Sequence, residues 1–191
     1  MLERSVDGLL SSGVIDEVIV VVGADQLDKA MALVGQVASV VQGGAERTDS
    51  VRAGLAAVAE TDWILVHDAA RPLTPPDMIA RIVAELRIGR RAVIPAIAVA
   101  DTIKSIDSAG DVSGTPDRAS LRAVQTPQGF ATSVLRRAYA AVGDIATDDA
   151  ALVEQIGERV HVVEGDRLAF KITTALDMTL AEAILSREVA Q

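Results

Sequence analysis

Apolar residues along the first part of this chain alternate between two spacings. Leu2, Val6, Leu9 and Leu10 fall on one helical face and Gly13 follows, which predicts an opening amphipathic helix that ends near Ser12. Glu17 to Val22 is a β-branched run closed by Gly23, the pattern of a strand covered on both faces. The spacing then predicts a helix over 26–33 and a second strand over 37–41 that runs into Gly43-Gly44. Thr48 or Asp49 can cap a helix carrying Val51, Leu55 and Val58. Trp63 to Val66 is a third strand. The helix after it starts at Pro75, with proline at the first position, and runs to about Ile88. Ala92 to Ala98 is a buried strand. This repeated alternation predicts an α/β fold, a parallel sheet covered by helices on both faces.

From Asp101 to Gln128 the rhythm changes. Thr102 to Ile106 and Leu121 to Gln125 read as short strands, separated by the turn residues Asp107 to Asp111, Gly114 and Pro116. An excursion of this kind either covers a site or reaches a neighbouring subunit. Helices are then expected over 132–142, over 148–156 with Thr147 as its cap, and from Thr174 to about Arg187. Val160 to Val163 reads as a strand, and Ala169 to Ile172 as a short strand or edge.

Composition narrows the classes. Half of the 191 residues are apolar, so one folded domain over 1–191 is expected, with 101–128 as an arm. The longest uncharged apolar run, Ala92 to Ala100, is far too short to span a bilayer, and the N-terminus resembles no signal peptide. No cysteine is present, so there is no disulfide framework and no thiolate metal site; a cytoplasmic protein is expected. The net charge of −9 argues against nonspecific binding to nucleic acid or an anionic membrane. A small phosphorylated ligand stays open, because it feels a local field.

The chemistry concentrates at strand ends. Val66-His67-Asp68-Ala69-Ala70-Arg71-Pro72 places a carboxylate and a guanidinium at the carboxyl edge of the sheet, where open α/β sheets bind ligands. Taken alone, this heptapeptide is better read as a surface turn whose Asp and Arg are solvated or paired with each other. Gly43-Gly44 before a helix allows close backbone approach and leaves amides for an anion or a base edge, yet it is usually only a turn. Asp101-Thr102, Asp117-Arg118 and Thr126-Pro127-Gln128 add a carboxylate, a guanidinium and hydroxyls. Thr147-Asp148-Asp149 could bind a metal, although acids at a helix start more often serve the helix dipole. Lys171, one of three lysines, is a lone cation in an apolar run and either snorkels to solvent or points at an anion. His67 and His161 read as core or edge residues.

Taken in order, Gly-Gly-x-x-Arg-x-x-Ser, Val-His-Asp-Ala-Ala-Arg-Pro, Asp-Thr-Ile-Lys, Arg-x-x-Leu-x-x-x-Gln-Thr-Pro-Gln-x-Phe, Thr-Asp-Asp-Ala and Lys-Ile-Thr resemble the 2-C-methyl-D-erythritol 4-phosphate cytidylyltransferases. These enzymes of nonmevalonate isoprenoid biosynthesis join CMP from CTP to a sugar-alcohol phosphate. The resemblance runs from the first helix to the last. It implies a Rossmann-like three-layer sandwich of the nucleotidyltransferase type with a protruding β-arm, in a homodimer. It also implies that Gly44, Ala45 and Ser50 read the cytosine, and that Asp68 and Ala69 lie against the ribose and the new diphosphate. Arg71, Thr102, Arg118, Thr126 and Thr147 would hold the acceptor phosphate, some of them across the dimer interface. Lys171 would sit at the α-phosphate, with Lys171 and Asp68 carrying catalysis. Mg²⁺ or another divalent cation is the implied cofactor, its ligands unassigned.

The family pattern opens with a strand and a glycine-rich triphosphate loop of the form Pro-Ala-Ala-Gly-x-Gly-x-Arg, and this chain is expected to start after it. Ala45 stands where an Asp is common and Ala169 where an Asn is common. Two other readings stay open: a cytidylyltransferase for another acceptor such as ribitol 5-phosphate, and a noncatalytic truncated remnant.

Overall fold

Along Trp63–Val66 successive side chains serve two cores. Trp63 and Leu65 pack with Ile82, Leu86 and Val93, while Ile64 and Val66 pack with Phe130, Val134 and Leu135. The two-residue period of a strand makes this division unavoidable once helices cover both faces. In the computed structural model, which describes residues 1–141 and 148–189, it recurs through the fold.

In chain order the elements are α1 (Leu2–Ser11), β1 (Ile19–Val22), α2 (Leu27–Val34), β2 (Ser39–Gln42), α3 (Arg47–Ala57), β3 (Trp63–Val66), α4 (Pro76–Arg87), β4 (Ala92–Ala98), β5 (Ser105–Ile106), β6 (Val112–Gly114), β7 (Arg122–Val124), β8 (Gln128–Ala131), α5 (Thr132–Ala141), α6 (Asp149–Gln155), β9 (His161–Glu164) and α7 (Ala175–Val189). Helices α1, α2 and α4 lie on one side of the sheets, and α3, α5 and α6 on the other. Each fully buried Ile, Leu or Phe, such as Ile82, Leu135 and Phe130, contributes roughly 1.5–3 kcal/mol by leaving water.

The sheet departs from the all-parallel expectation in two ways. β1 and β2 pair in parallel as a separate two-stranded sheet, with no ladder to β3 among the described residues. In the larger sheet, β8 runs antiparallel between β3 and β4, β7 continues along the same edge of β4, and β9 pairs with β4 in parallel. The chain after β4 travels out through the arm and returns, so β7 and β8 necessarily run backwards. Sequence pattern missed β8 because Gln128-Gly129-Phe130-Ala131 has a single large apolar residue. Gly129 is required there by close approach: a Cβ would lie 2.6 Å from Ile82 and 2.9 Å from Leu86.

This topology gathers the functional segments. β3 and β4 are each antiparallel to β8, so β3, β4 and β9 all point the same way. The segments after them, 67–72, 99–121 and 165–172, therefore leave one carboxyl edge, and the antiparallel β8 begins there. The arm is also shorter than expected, since 122–124 and 128 belong to the main sheet; its hairpin is β5 with β6. The expected edge strand over 169–172 is a 3₁₀ turn, Arg167–Ala169, followed by extended backbone. Its bonds go to the turn after β3 instead of a ladder.

Candidate active site

The turn that follows β3 is held by residues distant in sequence. The Asp68 amide donates to Thr126 Oγ1 at 3.0 Å, and the same hydroxyl lies 3.0 Å from His67 Nδ1. Thr126 satisfies both contacts by accepting from Asp68 and donating to the imidazole, which needs a neutral ring with its proton on Nε2. Burial favours that state, pushing His67 down to about 4. On the other side, the Ile172 amide donates to the Ala70 carbonyl at 2.8 Å and the Arg71 guanidinium donates to the Ala169 carbonyl at 2.7 Å. Extended segment 170–172 is thereby pinned to the turn.

This pinning delivers Lys171. Its ammonium is 3.1 Å from Asp68 Oδ2, and Arg71 Nε is 3.6 Å from the same oxygen. Burial raises the Asp68 carboxyl, but Lys171, Arg71 and the more distant Arg47 outweigh it and hold the group below its ordinary range. One carboxylate between two cations leaves one positive charge uncompensated. The buried Arg71 Nε has no hydrogen-bond partner among the described residues. A strand end with an excess cation suits a phosphate, despite the net charge of −9.

A second group of contacts joins the loop after β2 to the same edge. A Cβ on Gly43 would lie 2.5 Å from Ser50 Oγ, and one on Gly44 would lie 2.3 Å from the Asp49 Cβ, so the backbone is packed directly onto the start of α3. The helix begins at Arg47 after Glu46, which makes no side-chain cap, so Thr48 and Asp49 are not the caps expected. Arg47 forks onto Asp149 at the first position of α6 (3.2 and 2.5 Å), and the Tyr139 hydroxyl donates to the same carboxylate. Asp148 is the α6 cap: it accepts from the Ala151 amide at 3.0 Å and from the Gln128 amide group at 2.8 Å. Gln128 also accepts from the Ala150 amide, and Gln125 grips both the amide and the carbonyl of Asp166.

Of the residues that sequence singled out, Asp68, Arg71, Thr126 and Lys171 come together. Thr126 is buried, with its hydroxyl already engaged. Ala69 is exposed beside Asp68; Gly44 and Ala45 are exposed in the loop, and Ser50 is half-buried behind it. Thr102 and Arg118 lie on the exposed arm, where Arg118 donates to the Ala100 carbonyl at 2.8 Å; neither is bonded to the Asp68 cluster among the described residues. Thr147 lies outside the described residues. Sequence reasoning missed the parts played by His67, Arg47, Asp149, Gln125 and Gln128. Arg47, Gln125 and Gln128 stood inside recognised motifs but pointed to no partner, because their partners are up to 102 residues away.

The whole of this arrangement falls inside one family. The IspD family model, described as 2-C-methyl-D-erythritol 4-phosphate cytidylyltransferase, matches residues 1–187. The chain belongs to the 2-C-methyl-D-erythritol 4-phosphate cytidylyltransferase family. A 2-C-methyl-D-erythritol 4-phosphate cytidylyltransferase of Nocardia farcinica is 63% identical over 193 residues, covering 100% of this chain and 83% of that protein. The crystal structure of 4-diphosphocytidyl-2C-methyl-D-erythritol synthase from Anaerococcus prevotii superposes with a TM-score of 0.88 at 32% identity, over 97% of this chain and 88% of that one. The cytidylyltransferase of Thermus thermophilus gives 0.82 at 37% identity, over 96% and 87%. The Rossmann-like nucleotidyltransferase fold is therefore that of the cytidylyltransferases, and the chain is a nucleotidyltransferase of nonmevalonate isoprenoid biosynthesis.

Proposed function

We propose that the carboxyl edge around Asp68 transfers CMP from CTP to 2-C-methyl-D-erythritol 4-phosphate, forming 4-diphosphocytidyl-2-C-methyl-D-erythritol and pyrophosphate. The observation that carries this reading is the Asp68–Lys171–Arg71 cluster, in which one carboxylate faces two cations and leaves a positive charge uncompensated. An acceptor phosphate oxygen attacks the α-phosphorus of CTP in line. The bond from that phosphorus to the bridging oxygen breaks, and its electron pair leaves with pyrophosphate. The attacking oxygen is already anionic, so no general base is needed and the protein contributes positioning and charge neutralisation. Lys171 meets the α-phosphate, with Asp68 orienting it, and Arg71 takes the acceptor phosphate. Gly44, the Ala45 backbone and Ser50 read the cytosine, and Ala69 lets the ribose approach. Thr126 serves the acceptor site by holding Asp68 in place.

No group of three or more His, Asp or Glu able to hold a metal occurs among the described residues. Mg²⁺ needs only one or two carboxylates when substrate phosphates complete its shell, and Asp68 can supply one through Oδ1, since Oδ2 faces Lys171 and Arg71. When bound, the cation would neutralise charge on the triphosphate.

Thr102, Arg118 and Thr147 complete the acceptor site in this reading, the arm serving the second copy of a homodimer. Ile103, Ile106 and Val112 are exposed on that arm, as a dimer contact would require. A cytoplasmic enzyme is in keeping with the absence, among the described residues, of any helix long and apolar enough to cross a membrane.

Pyrophosphate release by the full-length protein tests the acceptor. CTP with 2-C-methyl-D-erythritol 4-phosphate is expected to turn over at least about a hundredfold faster, by kcat/KM, than CTP with ribitol 5-phosphate. Equal rates would overturn the assignment.

A further inference from the structure

The β1–β2 sheet and the larger sheet share no hydrogen-bonded edge among the described residues. Helix α3 spans the gap: it packs on β1 and β2, while its Leu55 and Val51 reach the core formed by Phe130, Val134 and Leu135. At the end of α3 nearest the Gly43-Gly44 loop, the span is closed by Arg47 and Asp149. Two nitrogens of the guanidinium meet the two carboxylate oxygens, Asp149 is fully buried, and Tyr139 supplies a further donor. A buried carboxylate persists only when paired and hydrogen-bonded, and this one has three donors.

Neighbouring residues carry further contacts towards the turn after β3. Next to Asp149, Asp148 accepts from Gln128; Gln128 lies two residues from Thr126, and Thr126 accepts from the Asp68 amide. Side-chain contacts joined by short stretches of backbone therefore link the start of α3 to the turn that carries Asp68. Loop residues 44–46 are themselves exposed, so their placement against the larger sheet rests on the helix they open.

We propose that Arg47 is a positioning residue for the nucleotide. Through its paired hydrogen bonds to Asp149 it fixes the 43–46 loop relative to the Asp68–Lys171 cluster, so that the base is held in register with the reacting phosphates. This rests on the reading that the loop holds cytosine. Arg47 need not touch the substrate; the fork geometry, which a lysine cannot reproduce, is what positions the loop.

The test compares Arg47→Met, Arg47→Lys, Asp149→Asn, the Arg47→Met/Asp149→Asn pair and Ser50→Ala in the full-length protein. The readouts are KM for CTP, KM for the acceptor, kcat, and backbone amide exchange over 43–50. Arg47→Met and Asp149→Asn are each expected to raise the CTP KM about tenfold and to speed exchange at 43–46, with the acceptor KM within about twofold of the parent. The double variant is expected to be no worse than the worse single, since the two residues act as a unit. Arg47→Lys should behave as Arg47→Met; full rescue by lysine would mean that charge alone matters and would overturn the proposal. Ser50→Ala separates the two claims. A raised CTP KM in Ser50→Ala beside unchanged KM and exchange in Arg47→Met would sink the positioning role only. Unchanged CTP KM in Ser50→Ala would remove the loop reading and the proposal with it.

Discussion

The turn after β3 and the arm after β4 leave the same sheet edge and are held in opposite ways. The turn is tied to residues far away in sequence: Asp68 to Thr126, Arg71 to Ala169 and Ala70 to Ile172. The arm bonds mostly to itself, Asp107 to Ala109 and Asp111, Lys104 to Thr115 and Ser120 to Asp117, with Arg118 reaching Ala100. Turn residues are buried or half-buried apart from Ala69, whereas Ile106 and Val112 of the arm stay more than half exposed. The turn is preorganised within one chain, as the charge stabilisation proposed for it would require. The arm's final setting is left to whatever it meets, which suits residues that serve a second copy.

The largest expected contrast comes from one substitution made on the segment pinned to the turn and on the arm. A Cβ on Gly165 would lie 2.2 Å from Gln125 Oε1 and 3.0 Å from the Ala96 backbone, whereas one on Gly114 of the arm meets nothing within 4 Å. Gly165→Ala should therefore cost about 2–3 kcal/mol in urea denaturation. Gly114→Ala should cost less than about 0.5 kcal/mol. Equal costs would erase the distinction between a stitched edge and a free arm.

A smaller contrast separates two threonines. Thr126→Val leaves the Asp68 amide and His67 Nδ1 without their partner and should lower stability by about 2 kcal/mol, with Thr126→Ser restoring it. Thr102→Val, on the exposed arm, should leave urea midpoints unchanged and raise the acceptor KM. Loss of stability in the second and not the first would reverse the comparison.

An effect of similar size is expected from acid. His67 is held down to about 4 in the folded chain, against an unfolded value of about 6.5, so the unfolded chain binds more protons between these values. Its contribution is fully present above about 6.5 and is lost as pH falls towards 4, up to about 2–3 kcal/mol. Replacing His67 by Asn, which can still accept from Thr126, should flatten the stability of the chain between pH 6.5 and 4.5 relative to the parent. An unchanged slope would place His67 in water.

What was legible in the sequence follows the range of the interactions. Strands β1 to β4 and the helices between them came from local spacing, and the motif order carried Asp68, Arg71, Thr126 and Lys171 to one place. β8 escaped because Gln128 and Gly129 are there for close contacts, Gln128 with α6 and Gly129 with α4, rather than for strand propensity. Asp149 looked like a helix-start acid or a metal ligand, and nothing near it in sequence announces Arg47, 102 residues away. Thr126 was read as touching the acceptor, and its buried bonds to Asp68 and His67 became visible only once β8 lay beside β3.

The placement of CMP transfer at the Asp68–Lys171 pair is tested most directly by pyrophosphate release from CTP and 2-C-methyl-D-erythritol 4-phosphate in Lys171→Ala. The Lys171 side chain is 47% exposed and pairs with Asp68, which keeps Arg71 as a second cation, so the melting temperature should stay within a few degrees of the parent. The kcat is expected to fall about a thousandfold, since the lost cation faces the charge that develops at the α-phosphate. A kcat within tenfold of the parent, with folding intact, would contradict the assignment and move the chemistry away from this strand end.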